Sequence, residues 1–574
     1  MGPARRALAG RLGRLGRASG AAEATRAAFG AEAGQAGHLL AQAAWEGARA
    51  GASDDLSPEA AALAARPENR PAALADRRTA LDREIAAGRA RLASEFPRFF
   101  ELINPPAVTV ADLQGGGDAA PLLEDSEALV LLSPPEGAFP GLVWAVTRER
   151  VAWAEIPLSA ADLSDAIARL HTMLDGGGRT RAPQTAVAAA AAPPGARGFD
   201  RALALELYEA LFGAPEIRAV LADRPDWVLA PQGVLLSLPF AALVTGPPEG
   251  RDDDPAALRA TDWLGLERAL AVVPSAATLR SLRRLAKTRA AAPALPFFGL
   301  GDPAFEGAPA DARRAAGGAV LAEARDYFRD AAGNAASVRG LSRLPGTRIE
   351  AEAMALAFGA GPESLLLGTR ANETGLAAAS DGGALSRARV VLMATHGLMA
   401  GSFDGLAEPA LAMTPPAEGP RLIDPVPGRG GAGASGAAPD LAGAVQRGAR
   451  LDDGLLTASE AARLDLDADW VILSACDTAA GAEPDARGLT GLARAFFYAG
   501  ARSLLVSHWR VRDDVAARLT TDAVARAQAD SSLTRARAFR AAMRAILEDR
   551  SLDHTGRALA HPAAWAPFQI VGVE

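Results

Sequence analysis

Three apolar runs in the second half of the chain constrain its fold more than any other feature. They are ARVVLMATHG at 388–397, DWVILSACDT at 469–478 and ARSLLVSHW at 501–509. None alternates polar and apolar residues, which is typical of strands that are buried on both faces of a parallel sheet. Helical and strand-like segments also alternate from residue 199 onwards. The sequence therefore predicts an α/β fold in which helices flank a mostly parallel sheet.

The 574 residues are too many for one ordinary domain, and the pattern changes twice before the α/β region, 199–574. Residues 1–98 have apolar positions at helical spacing, which predicts an all-α N-terminal region. No repeat of about 34 residues is visible there, so we expect one or two TPR-like hairpins that serve as an adaptor. Residues 99–198 contain a predicted strand hairpin, a helix and a Gly-, Ala- and Pro-rich linker, which indicates a small α/β region.

A segment rich in Pro and Gly, residues 414–450, separates the first two apolar runs. It has few large apolar side chains and cannot bury enough surface to offset its ordering entropy. We therefore expect a disordered, exposed insertion that is the most protease-sensitive part of the chain. Its arginines also make it a candidate for self-processing.

Composition and charge exclude several classes of function. Lys and Arg number 60 against 68 Asp and Glu, so no global charge favours nucleic acid or an anionic membrane. The first 20 residues lack the apolar core of a secretory signal, and no stretch is long and apolar enough to span a membrane. The single cysteine allows neither an intramolecular disulfide nor a multi-cysteine metal site. We expect a cytoplasmic protein without a metal or cofactor, and its abundant Ala, Gly and Arg fit a GC-rich bacterial genome.

The lone cysteine, Cys476, follows one apolar run, and His396 occupies the same position after another. Active sites of α/β sheets form where the carboxyl ends of strands meet their loops. A thiol is mostly protonated at neutral pH, and a nearby imidazole can accept its proton and activate it. A lone cysteine is also commonly an inert core residue. Its coincidence with a histidine at a neighbouring strand end favours a nucleophile and its base.

Several ordered blocks resemble the CHAT family, caspase-like domains that often follow TPR repeats. RVVLMATHGLMAG is similar to the family's strand–His–Gly block, and DWVILSACDTAAG resembles the stretch that carries its nucleophile. GLTGLARAFFYAGARSLLVSHWRVRDD and the ending WAPFQIVG are similar to later blocks. The resemblance extends from about 199 to 574. His508 departs from it, because many relatives have leucine there.

The resemblance implies a caspase-like dyad in which Cys476 attacks the scissile carbonyl and His396 protonates the leaving amine. By analogy with caspases, the N–H groups of Gly397 and Cys476 would bind the oxyanion.

Four further residues near the strand ends are candidates for the substrate pocket: Asp477, Asp485, Trp509 and Asp513. Carboxylates there would favour a basic P1 side chain, with Asp477 and Asp485 as the first candidates. Surface carboxylates are usually solvated, and a tryptophan is as often a core residue as a pocket wall.

We therefore predict a cysteine endopeptidase that cleaves a protein partner and is regulated by a second protein bound through the N-terminal helices. The alternative is a catalytically silent CHAT adaptor that transmits a protein-binding signal. A hydrolase or acyltransferase with a small-molecule substrate is a third hypothesis, which no cofactor motif supports. We expect no direct contact with nucleic acid or membranes.

Overall fold

The computed structural model describes the chain from residue 108, with gaps, and Arg83 before it. The described residues are 108–115, 120–137, 139–174, 198–286, 295–306, 337–398, 406, 408–417, 419–423, 450–474, 488–509, 513–530, 532–552 and 558–573. From residue 108 they belong to one unit of the chain, which comprises 105–442 and 450–574. The predicted helices of 1–98, Arg83 excepted, and most of the predicted linker and insertion lie outside them.

Among the described residues, one sheet contains eleven strands in the order β3-β2-β1-β4-β5-β16-β15-β14-β8-β6-β7. Neighbouring strands are parallel except for the pairs β1/β2, β2/β3 and β15/β16. The mostly parallel sheet predicted from the apolar runs is thus confirmed. The strands are β1 (Glu127–Ser133), β2 (Gly141–Val146), β3 (Val151–Ile156), β4 (Asp226–Pro231), β5 (Ala269–Val272), β6 (Leu295–Pro303), β7 (Leu365–Gly368), β8 (Ala388–Ala394), β9 (Gly397–Leu398), β10 (Ala410–Ala412), β11 (Arg421–Leu422), β12 (Leu451–Asp452), β13 (Leu455–Thr457), β14 (Trp470–Leu473), β15 (Ser503–Ser507) and β16 (Phe568–Gly572).

Helices connect these strands and supply the remaining core. They are α1 (Val110–Gln114), α2 (Ala160–Leu174), α3 (Arg201–Phe212), α4 (Pro215–Leu221), α5 (Pro255–Arg259), α6 (Leu264–Glu267), α7 (Ala276–Ala286), α8 (Pro345–Ala357), α9 (Glu373–Asp381), α10 (Ala384–Arg387), α11 (Ala458–Ala461), α12 (Gly488–Ala499), α13 (Asp513–Ala529), α14 (Arg535–Glu548) and α15 (Pro562–Trp565). In α2 the buried residues Leu163, Ile167, Leu170 and Leu174 form the apolar stripe that predicts a helix. None of the helices in the described part of the chain is both long and apolar enough to cross a lipid bilayer.

The strands of the small upstream region continue the main sheet. β1 pairs in parallel with β4, with Leu129 opposite Val228. The predicted hairpin is present as β2 and β3, which extend the sheet beyond β1. The boundaries between the predicted regions stay a prediction.

The beginning of the predicted insertion is folded, which corrects the expectation for 414–450. Thr414 is buried, and its hydroxyl donates to the carbonyl of Gly368. β11 pairs with β12 in a two-stranded antiparallel sheet, with Arg421 opposite Asp452. The error arises because composition ignores hydrogen bonds to distant segments, which hold residues 414–423 despite their few apolar side chains. Residues 424–449 lie outside the described residues.

Candidate functional site

The three apolar runs become adjacent parallel strands, β8, β14 and β15. Leu473 of β14 pairs with Met393 of β8 and with Val506 of β15, so these three residues lie at one level of the sheet. In sequence, His396, Cys476 and Trp509 each follow the aligned residue of their own strand by the same interval. The carboxyl ends of these strands share one edge, which we call the carboxyl edge. The predicted neighbourhood of the His and Cys strands is therefore confirmed.

The imidazole of His396 is held from two sides. Its Nε2 lies 2.8 Å from the carbonyl oxygen of Ser342, a hydrogen bond in which Nε2–H donates. The ring of Phe305 packs against it at a centroid distance of 5.3 Å. His396 is only 1% exposed, so both contacts act in a site from which bulk water is largely excluded. A proton fixed on Nε2 makes Nδ1 the basic nitrogen of the neutral ring.

The backbone around His396 is fixed by the small sheet β9-β10-β13. The N–H of Ala412 donates to the carbonyl of His396 at 2.9 Å, and the hydroxyl of Thr395 donates to the carbonyl of Ala412. Gly397 is opposite Leu411 in this ladder. Hydrogen-bonded and non-hydrogen-bonded pairs alternate in antiparallel ladders. The N–H of Gly397 is therefore directed away from β10, as an oxyanion donor requires.

A separate apolar cluster contains residues of this small sheet and of two neighbouring segments. It joins the loop after β6, the segment before α8 and the three small strands into one packed unit. Its members are Phe305, Val338, Leu341, Leu398, Leu406, Ala410, Ala412 and Leu455. Because Leu341 and Phe305 belong to it, the same packing that stabilises the small sheet also places both contacts of the His396 ring.

A buried carboxylate lies close to the end of β14, the strand that precedes Cys476 in sequence. The hydroxyl of Ser474 donates to Oε2 of Glu350 in α8 at 2.9 Å, and both residues are fully buried. Ser474 precedes Cys476 by two positions. Glu350 thus anchors the chain directly before the predicted nucleophile.

Cys476 itself lies outside the described residues, as do Asp477 and Asp485. Asp513 is the first residue of α13, and its side chain is not among those described. The structure places His396 and Gly397 at the carboxyl edge, and the roles of all the predicted site residues stay predictions.

Trp509 and His508 lie in the core beside the edge. Trp509 is 1% exposed, and its Nε1–H donates to the carbonyl of Ala563. His508 shares a 2.6 Å hydrogen bond with Oε1 of Gln569. Burial, followed by the charge of His171, lowers the pKa of His508 to about 3, so this histidine is neutral at physiological pH. His508 is therefore a packed and hydrogen-bonded core residue, whereas Trp509 as a pocket wall stays a prediction.

An acidic cluster borders β13, on the side away from β10. One oxygen of Glu373 accepts hydrogen bonds from the N–H groups of residues 453–455, which fixes the turn before β13. Gly454 has φ +91° in this turn, a conformation that favours glycine. Burial, then the charges of Glu460, Asp453 and Asp452, raises the pKa of Glu373 well above its usual value. Burial also raises the pKa of Asp453 to about 7.

The raised pKa of Glu460 makes the stability of the folded protein depend on pH. Burial, followed by the charge of Asp453, raises its pKa to about 8 from 4.5. The folded state therefore binds the Glu460 proton more tightly than the unfolded state does. The stability that this proton contributes is fully present below pH 4.5 and is lost as the pH rises through 8. Glu460→Gln retains the capping box with Thr457, since glutamine also accepts from the Thr457 N–H. We expect this variant to have a higher free energy of unfolding than the wild type at pH 8.5.

Urea unfolding at several pH values tests this expectation. The advantage of Glu460→Gln should disappear near pH 4, where the wild-type carboxyl is protonated in both states. An equal difference between the two proteins at all pH values would contradict it.

Sequence inspection missed Glu350 and Ser342, which contact site segments, and Asp302, whose carboxylate pairs with the arginine beside Ser342. Glu350 lies on the apolar face of a predicted helix, beside Ala351 and Met354, and a glutamate on such a face is a usable signal. Asp302 follows the Gly-rich end of a predicted strand, a weaker signal. Ser342 acts through its backbone carbonyl, which its side chain does not reveal.

No group of three or more His, Cys, Asp or Glu with metal-binding geometry occurs within the described ranges. The buried imidazole, its fixed tautomer and an outward backbone N–H are suited to proton transfer beside a nucleophile. The strand order β7-β6-β8-β14-β15-β16, with a histidine at the carboxyl edge, defines a caspase-like α/β protein. The family model of the CHAT domain matches residues 201–573, so the chain belongs to the CHAT domain family. The comparison with curated proteins gives no match.

Proposed function

We propose that the chain is a cysteine endopeptidase with Cys476 as nucleophile and His396 as base. The observation that carries this proposal is the register of β8 and β14, which aligns Met393 with Leu473. In sequence, His396 and Cys476 each follow the aligned residue of their own strand by the same interval, and the two aligned residues belong to adjacent parallel strands. Membership of a caspase-like family supports the same assignment.

In the proposed mechanism, Nδ1 of His396 accepts the proton of the Cys476 thiol. The thiolate attacks the scissile carbonyl carbon, and a carbon–sulfur bond forms while the carbonyl oxygen becomes an oxyanion. In this mechanism the N–H of Gly397, which is directed away from β10, donates to the oxyanion together with the N–H of Cys476. The C–N bond then breaks as His396 gives its proton to the leaving amine, which leaves a thioester on Cys476. His396 takes a proton from water, which attacks the thioester; the C–S bond breaks, and the carboxylic acid product and the Cys476 thiol are released.

The substrate of the proposed enzyme is a protein. The acidic residues Asp477 and Asp485 would favour Arg or Lys at P1, because a guanidinium or ammonium group pairs with a carboxylate. A regulatory protein bound through the predicted N-terminal helices would control this activity. If the dyad is inactive, the same fold serves as an adaptor that transmits binding of that partner.

Alkylation of the lone thiol distinguishes these two functions without a known substrate. Since the sequence has one cysteine, all thiol alkylation takes place at Cys476. We expect the rate of reaction with iodoacetamide to show a thiolate midpoint well below the usual ~8.5. In His396→Ala the midpoint should return towards ~8.5, because the ion pair with imidazolium is lost.

Cys476→Ser provides the control for labelling elsewhere. A wild-type midpoint near ~8.5 that His396→Ala leaves unchanged would support the silent adaptor instead.

A further inference from the structure

The Ser342 carbonyl, which accepts from Nε2 of His396, belongs to a segment that is ion-paired to the end of the neighbouring strand β6. Ser342 lies between Leu341, which is buried in the apolar cluster, and Arg343. The guanidinium of Arg343 donates from Nε and Nη2 to the two carboxylate oxygens of Asp302, each at 2.8 Å. Such a two-point pair fixes orientation as well as distance. The chain at residue 342 is therefore held by apolar packing on one side and by an ion pair on the other.

Asp302 is unusually constrained for an aspartate. It is 1% exposed and has φ +50°, and it is the one non-glycine residue with positive φ in the described part of the chain. Its N–H donates to Oγ1 of Thr347 at 2.7 Å. Arg348 contributes a second ion pair, from Nε to Oδ2 at 2.9 Å. A buried residue keeps such a backbone conformation only where its surroundings determine it.

The position of Asp302 connects it to the dyad. It directly follows Gly301 of β6, which pairs with Ala394 at the end of β8. Asp302 and Thr395, the residue before His396, therefore each directly follow the last pair of this ladder. The ion pair between Asp302 and Arg343 connects the segment that contains Ser342 to the end of β6.

We propose that Asp302 and Arg343 are positioning residues that hold the Ser342 carbonyl in place and thereby fix the tautomer and orientation of His396. This inference rests on the proposed function, in which His396 is the base. The proposed route from both side chains to the imidazole is the Ser342 carbonyl, which accepts from Nε2 of His396. An accepting carbonyl at Nε2 stabilises the imidazolium, which raises the basicity of Nδ1 and favours the thiolate.

Arg343→Gln and Arg348→Gln are a matched pair of variants for testing this role. Each removes one positive charge from the same carboxylate, but only Arg343 is adjacent to Ser342. We expect Arg343→Gln to raise the thiolate midpoint of Cys476, measured by iodoacetamide alkylation, by about one pH unit, which is tenfold in thiolate at lower pH. Arg348→Gln should keep the wild-type midpoint. A merely structural role would lower the thermal unfolding midpoint of both variants without separating their pH profiles.

The outcomes separate this inference from the proposed function. If His396→Ala leaves the thiolate midpoint unchanged, the dyad itself is wrong. If His396→Ala shifts the midpoint but folded Arg343→Gln does not, only the positioning role is overturned, and equal shifts in Arg343→Gln and Arg348→Gln overturn it as well. Should Arg343→Gln not fold, Arg343→Lys decides, because it keeps the charge without the two-point geometry. A raised midpoint in folded Arg343→Lys supports the role, and the wild-type midpoint overturns it.

Discussion

We expect Cys476→Ala and His396→Ala each to reduce the turnover of the proposed peptidase by about 10³-fold or more, because each change removes one of two groups that act as a unit in the proposed mechanism. The double variant should be no slower than Cys476→Ala alone, since members of a dyad are strongly non-additive. Turnover is measured as new amino termini released from a proteome-derived peptide library. That readout detects cleavage at any sequence, and its products also report the P1 preference.

Circular dichroism and the thermal midpoint must show that both variants remain folded. Cys476→Ser retains the size of the nucleophile and removes the thiol, so it should be as inactive as Cys476→Ala. Turnover near the wild-type rate in folded Cys476→Ala would rule out the proposed mechanism. Cleavage after Asp alone, with none after Arg or Lys, would rule out the proposed P1 preference.

The local sequence predicts the sheet and the neighbourhood of the dyad because both depend on patterns within single segments. The apolar run that ends at Ala394 and the run that ends at Leu473 are long enough to indicate buried strands. His396 and Cys476 are then candidates for the site because each comes shortly after one of these runs in sequence. Helices such as α2 follow from their apolar stripes.

The partners of the site residues depend on contacts between distant segments, which no local pattern encodes. His396 and Ser342 are 54 positions apart, and Glu350 and Ser474 are 124 apart. Only the three-dimensional arrangement of β6, β8 and α8 brings them together. The folded start of the insertion has the same explanation, because Thr414 is held by Gly368 rather than by its own neighbours.

Arg201 is another residue whose contacts the local sequence does not predict. As the first residue of a predicted helix it would be expected on the surface, yet it is 1% exposed. Its Nε donates to Asp252 at 2.6 Å, and its Nη atoms donate to the carbonyls of Glu249 and Gly250. Nη1 also donates to the carbonyl of Ala257 and the hydroxyl of Thr261. One guanidinium thus holds the whole 249–261 segment against α3.

We therefore expect Arg201→Met to lower the free energy of unfolding more than the other substitutions proposed above. It keeps much of the side-chain volume but removes the donor from several partly buried acceptors and from the carboxylate of Asp252, which is 42% exposed, at a cost of about 1–3 kcal/mol. Arg201→Lys, which retains the charge and loses the planar fork, should lie between Arg201→Met and the wild type. Arg251→Met is the matched control, because Arg251 lies in the same segment and pairs with Asp253 at the exposed surface. The unfolding midpoint in urea measures the effect, and limited proteolysis should show cleavage within 249–261 first in Arg201→Met. Equal midpoints for Arg201→Met and Arg251→Met would mean that the buried guanidinium does not organise this segment.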